Sequence, residues 1–85
     1  MIETPEYAAM LRRMLRAYGR RVGDADPEDL AQMIAIRREF DAVIERAVAG
    51  QRDRGASWAA IALGLGTTRQ NAQARFGRGP TARAG

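Results

Sequence analysis

Apolar residues recur along this chain at three- and four-residue steps, and no stretch alternates apolar and polar positions as a strand would. Tyr7, Met10, Leu11, Met14, Leu15 and Tyr18 form one stripe, with Arg12, Arg13, Arg16 and Arg20 on the other side. Thr4 as cap, Pro5 at the first helical position and Glu6 near the positive helix end predict a helix from about Pro5 to Tyr18 or Val22. Gly19 and Gly23 offer stopping points.

A second start signal follows. Asp26 reads as a cap, Pro27 as the first helical residue, and Glu28 and Asp29 as first-turn acids. Its stripe is Leu30, Met33, Ile34, Phe40, Ile44, Ala47 and Val48. The helix can continue to Arg54, with Gly55 as terminator and a kink or early end at Gly50, where glycine costs about 1 kcal/mol. The third helix opens at the cap Ser57 and runs to about Leu63; Leu63–Gly66 makes a turn, and the fourth spans Thr68 to about Phe76, with Gly77 after it.

Together these elements predict an all-α fold: a four-helix domain over residues 1–77 with a C-terminal helix-turn-helix and a short flexible basic tail, 78–85. Within the domain, residues 1–54 supply bracing helices and a surface for dimerisation, and residues 55–77 the helix-turn-helix.

The spacing in 57–76 supports that division. Ile61, Ala62 and Leu65 face inward on one short helix, Ala72 and Phe76 on the next, with Trp58 closing the other end. Small residues at Ala62 and Ala72 let two helices cross closely, and Gly66 suits a sharp turn. The exposed face of the last helix then carries Thr68, Arg69, Gln70 and Gln73 as candidate base-reading residues, with Ala74 beside them. Arg can donate two bonds to guanine, Gln can pair with adenine, and the Thr68 or Ala74 methyl can touch thymine. Arg52, Arg54, Ser57, Thr67, Arg75 and Arg78 are candidates for the DNA backbone, Arg75 with a structural role as its alternative.

Charge sharpens this picture. Residues 1–49 hold eight arginines against nine acids, a balance of −1; residues 50–85 hold six arginines against Asp53 alone, a balance of +5. The positive field belongs to the half with the turn motif, as a nucleic-acid footprint requires. Every basic residue is arginine, whose fork grips phosphate or guanine with two hydrogen bonds.

Residues 51–77 resemble a helix-turn-helix common in small actinobacterial and actinophage proteins, with a pattern close to G-x-S-W-x-x-I-A-x-x-L-G-x-[ST]-R-Q-x-A-x-x-R-F-G. Gly55, Ser57, Trp58, Ile61, Ala62, Leu65, Gly66, Thr68, Arg69, Gln70, Ala72, Arg75, Phe76 and Gly77 occupy its positions. The wider superfamily includes sigma-factor region-4-like domains and repressors, so the resemblance implies DNA binding and regulation. Thr67 departs from it, standing where an aliphatic residue often packs. Residues 1–50 lie outside the resemblance.

Other chemistry finds little support. Cysteine and histidine are absent, which removes disulfides, thiol catalysis and the usual zinc sites. Ser57 has no histidine or lysine to activate it, and Asp24, Asp26, Glu28 and Asp29 are ordinary for a helix start. The expectation is therefore no enzyme, no metal, no cofactor and no small-molecule substrate. No apolar run is long enough for a membrane span, and the acidic N-terminus lacks the order of a secretory signal; a cytoplasmic, nucleoid-associated protein is expected. The expected partners are double-stranded DNA and a second copy, since one short reading helix gives limited specificity. Two alternatives stay open: a helical adaptor using Met10, Met14 and Tyr18 on another protein, such as a phage or polymerase component, and a non-specific nucleoid-binding protein.

Overall fold

Each helix start and stop can be assigned to a named local interaction. The structure, a computed structural model, describes residues 2–77. Those residues are all-α, with α1 at Thr4–Gly23, α2 at Asp29–Asp53, α3 at Trp58–Leu65 and α4 at Arg69–Phe76. None of these helices is long and apolar enough to cross a membrane. The tail expected over 78–85 lies outside the described residues. The chain divides into two compact units, with the boundary after Ile36.

In the first unit, α1 starts earlier than expected. Glu3, in extended backbone conformation, is the cap, and Thr4 is already helical. The Glu3 N–H donates to the Glu6 carboxylate at 3.2 Å, so an acid three residues on secures the start in place of a hydroxyl. Gly19 does not stop the helix. It continues to Gly23, with Arg20 and Arg21 in the last turn facing the negative end of the dipole. The α2 start comes later than the Asp26 signal implied. The N–H groups of Asp29, Leu30 and Ala31 bond to the carbonyls of Asp26, Pro27 and Glu28 at 2.9–3.2 Å, a tighter three-residue turn that feeds the helix. No residue of α1 is buried. Tyr7, Leu11, Met14 and Leu15, expected to form a covered stripe, remain 42–60% exposed.

In the second unit, one stop-and-start device occurs twice. Gly55 (φ +94) ends α2 and Gly66 (φ +74) ends α3, and they are the only described residues with positive φ. At the first stop, Gly55 N bonds to Arg52 O at 2.9 Å and Ala56 N to Gln51 O at 3.0 Å. At the second, Gly66 N bonds to Leu63 O at 3.2 Å and Thr67 N to Ala62 O at 3.0 Å. Both are Schellman ends, which need a left-handed residue that only glycine adopts cheaply. One linking residue later comes a hydroxyl cap. Ser57 Oγ accepts from Ala60 N at 3.0 Å, and Thr68 Oγ1 accepts from Asn71 N at 3.1 Å. The sequence form is Gly-x-[Ser/Thr], as Gly55-Ala56-Ser57 and Gly66-Thr67-Thr68. The turn therefore begins at Gly66, and Gly64 and Leu65 stay helical, where Leu63–Gly66 had been expected to turn. Gly50 does not end α2, which runs on to Asp53.

The buried core is small: Val48, Ile61, Ala62 and Ala72. Among the described residues, α3 against α4 is the principal helix–helix contact. The two alanines explain it, since without larger side chains between them the backbones can approach closely. Trp58 and Phe76 are half-buried at the margins, as the spacing suggested. Leu65 is less inward than expected and keeps 40% of its surface exposed. Apart from the Trp58 indole N–H, α3 carries no polar side-chain group, and Leu63 on it is 84% exposed.

Candidate nucleic-acid interface

The geometry of α4 follows from its one buried residue. Ala72 is 1% exposed, and Phe76, four residues on, is half-buried on the same face. Fixing those two inward leaves Gln70, Gln73 and Ala74 along an outward strip, since positions three and four apart are neighbours on a helix surface. Arg69 stands at the first helical position. All four are exposed.

Thr68 has two functions to reconcile. Its hydroxyl oxygen caps α4, so that lone pair is committed to Asn71 N. Its own hydroxyl hydrogen and its methyl remain open, because a hydroxyl can donate while it accepts. Ser57, committed to Ala60 N, likewise keeps its hydroxyl hydrogen open. Ahead of the first intrahelical bond of α4, Ala72 N to Thr68 O at 2.9 Å, lie the amides of Arg69 and Gln70. They are free of the helical ladder, at the end where the dipole is positive.

Among the described arginines, Arg52 is the one whose side chain hydrogen-bonds to the fold. Its guanidinium sits 4.7 Å from the Trp58 ring centroid and donates to the Ala56 carbonyl at 3.0 Å. It braces the α2–α3 turn, and only its remaining donors can meet a phosphate. Arg54 is exposed in that turn. Arg75 lies over the Phe76 ring at 5.2 Å, which fits the structural part of its two expected roles and leaves it exposed. Thr67 is exposed where an aliphatic residue was the usual packing partner, and its hydroxyl oxygen accepts from Asn71 Nδ2 at 3.4 Å. Arg78 lies outside the described residues.

Asn71 was missed by the sequence reading. Its backbone N–H meets Thr68 and its side chain Thr67, so it ties the turn to the first turn of α4. The available signal was its place three residues after a hydroxyl cap. Gly77 also has a reason beyond stopping the helix. It is not left-handed, but a side chain there would run into the Gln73 carbonyl.

Over residues 50–77, Arg52, Arg54, Arg69 and Arg75 stand against Asp53, a balance of +3. This segment carries forked cations, side-chain amides and helix-start N–H groups outside the helical ladder, the kind of groups that suit anionic, hydrogen-bonding ligands. Comparison with protein-family models, with curated proteins and with solved structures returned no match.

Proposed function

We propose that this chain is a sequence-specific double-stranded DNA-binding protein, a transcriptional regulator that lays α4 in the major groove. The observation that carries the reading is the polarity of α4. Its single buried residue is Ala72, while Arg69, at the first helical position, and Gln70 and Gln73, on the side away from Ala72, are all exposed in a unit with an excess of arginine. With its side chains an α-helix is about 10–12 Å across, a diameter that the major groove, about 12 Å wide, admits. In this reading Arg69 and the two glutamines meet base edges, while Thr68 donates its hydroxyl beside the helix-start amides. Arg54, Arg75 and the spare donors of Arg52 hold phosphates.

The test is duplex affinity as a function of salt, for the chain and two variants. Arg69→Ala is expected to cost about 1–3 kcal/mol at preferred sites and little elsewhere. Arg54→Ala is expected to weaken all duplexes alike and reduce the salt slope by about one. Binding by the unaltered chain that falls with salt but prefers no site identifies a non-specific coating protein. Affinity unchanged by both substitutions at low salt refutes the reading.

A further inference from the structure

We infer that the apolar face of residues 2–36 is an interface for a second copy of this chain, with two α1 helices meeting antiparallel. The face is continuous. An open groove of about 550 Å³ is lined by Leu11, Met14, Leu15, Tyr18 and Ile36, and a second groove, formed with Ile2 and Tyr7, shares Leu11 with it. A helix of twenty residues with an apolar stripe and nothing buried is unusual, because in water such helices owe most of their stability to covering that stripe.

Area and charge both select a second copy. Ile2, Tyr7, Leu11, Met14, Leu15 and Ile36 are 41–60% exposed. At roughly 100 Å² each they offer about 600 Å² per copy, so a pair buries about 1,200 Å², the lower edge of stable specific interfaces. Residues 1–36 carry five arginines and six acids, a balance of −1, against +5 for residues 37–85; all five arginines lie on α1, where Arg12, Arg13 and Arg16 sit away from the stripe. The charges on α1 are also self-complementary. Glu3 and Glu6 mark its start and Arg20 and Arg21 its last turn, while Arg12 and Arg16 project from the side opposite the stripe. A two-fold axis near position 12 sets Glu3 of one copy opposite Arg21 of the other, and Met10 opposite Met14. The apolar face and the charged ends then match in a single register.

The experiment is sedimentation equilibrium of the full chain over a micromolar range. The expected result is a dimer. Leu15→Glu should weaken it at least about tenfold, while Leu63→Glu, on the other unit, leaves it unchanged. Arg21→Glu should weaken it several-fold, and adding Glu3→Arg should restore it. If Leu15→Glu fails to fold, the unaltered chain serves instead. In a mixture of isotopically labelled and unlabelled copies, contacts between the methyls of Met10 and Met14 must cross between molecules. A chain that stays helical and monomeric at about 100 µM overturns the inference and leaves the face to a different protein. A dimer lost with Leu63→Glu but not with Leu15→Glu, or one without the Met10–Met14 contact, overturns it as well.

Discussion

The two units of this chain bury their apolar residues to different extents, although Phe40, Val43, Leu63 and Leu65 of the second stay 40–84% exposed. In residues 37–77, four small or medium side chains, Val48, Ile61, Ala62 and Ala72, are almost wholly removed from water. In residues 2–36 the apolar side chains are larger and more regularly spaced, yet none of those on α1 is buried. Periodicity says which face of a helix avoids water; it does not say what covers that face. The α3–α4 pair covers its own face because alanine lets two backbones approach and Gly66 turns the chain back. The Tyr7–Leu15 stripe has no such partner within its unit.

That contrast sets a hierarchy of responses to substitution. The largest effect is expected for Ile61→Ala, which removes the bulkiest wholly aliphatic side chain of a four-residue core beside Val48; it should cost about 2–5 kcal/mol by urea unfolding. In a domain this small that removes most of the stability, so the circular dichroism signal of α3 and α4 should be lost near room temperature. Next comes Gly66→Ala. No neighbouring atom obstructs a new methyl, so the penalty is conformational: about 1–2 kcal/mol for a left-handed residue at φ +74. An equal loss from Gly64→Ala, where φ is not positive, would show that the turn is not the cause. The smallest effect is expected at Leu63→Gln. At 84% exposure it has little to lose, and unfolding should shift by less than about 0.5 kcal/mol. A larger loss would mean that the outer side of α3 is covered in solution, and the contrast between the units would narrow.

Much of this architecture was legible in the chain. The four helices, the Ser57 cap and the inward place of Ile61, Ala62 and Ala72 follow from spacing and capping chemistry alone. The boundaries that shifted did so for local reasons. Glu3 displaced Thr4 as cap because Glu6 could reach back to its N–H, and a three-residue turn delayed α2 beyond Pro27. Leu63-Gly64-Leu65 read as a turn because glycine at 64 and 66 looked alike, whereas only Gly66 has positive φ. The engagement of Arg52 with Trp58 and Ala56 was hidden, since it depends on how α2 ends at Gly55. Among the candidate site residues, exposure of Gln70 and Gln73 was readable because one buried alanine fixes the helix face; Arg69, three residues before Ala72 and seven before Phe76, shares the side of those two and is exposed at the first helical position. The double duty of Thr68 emerges once its cap bond to Asn71 is located.

The account stands or falls on what the outward face of α4 meets, and selection from a pool of random duplexes, followed by sequencing, asks that directly. It predicts an enriched motif for the unaltered chain and the same motif with one relaxed base pair for Arg69→Ala. No enrichment over the starting pool, or a motif indifferent to Arg69, Gln70 and Gln73 alike, would contradict it.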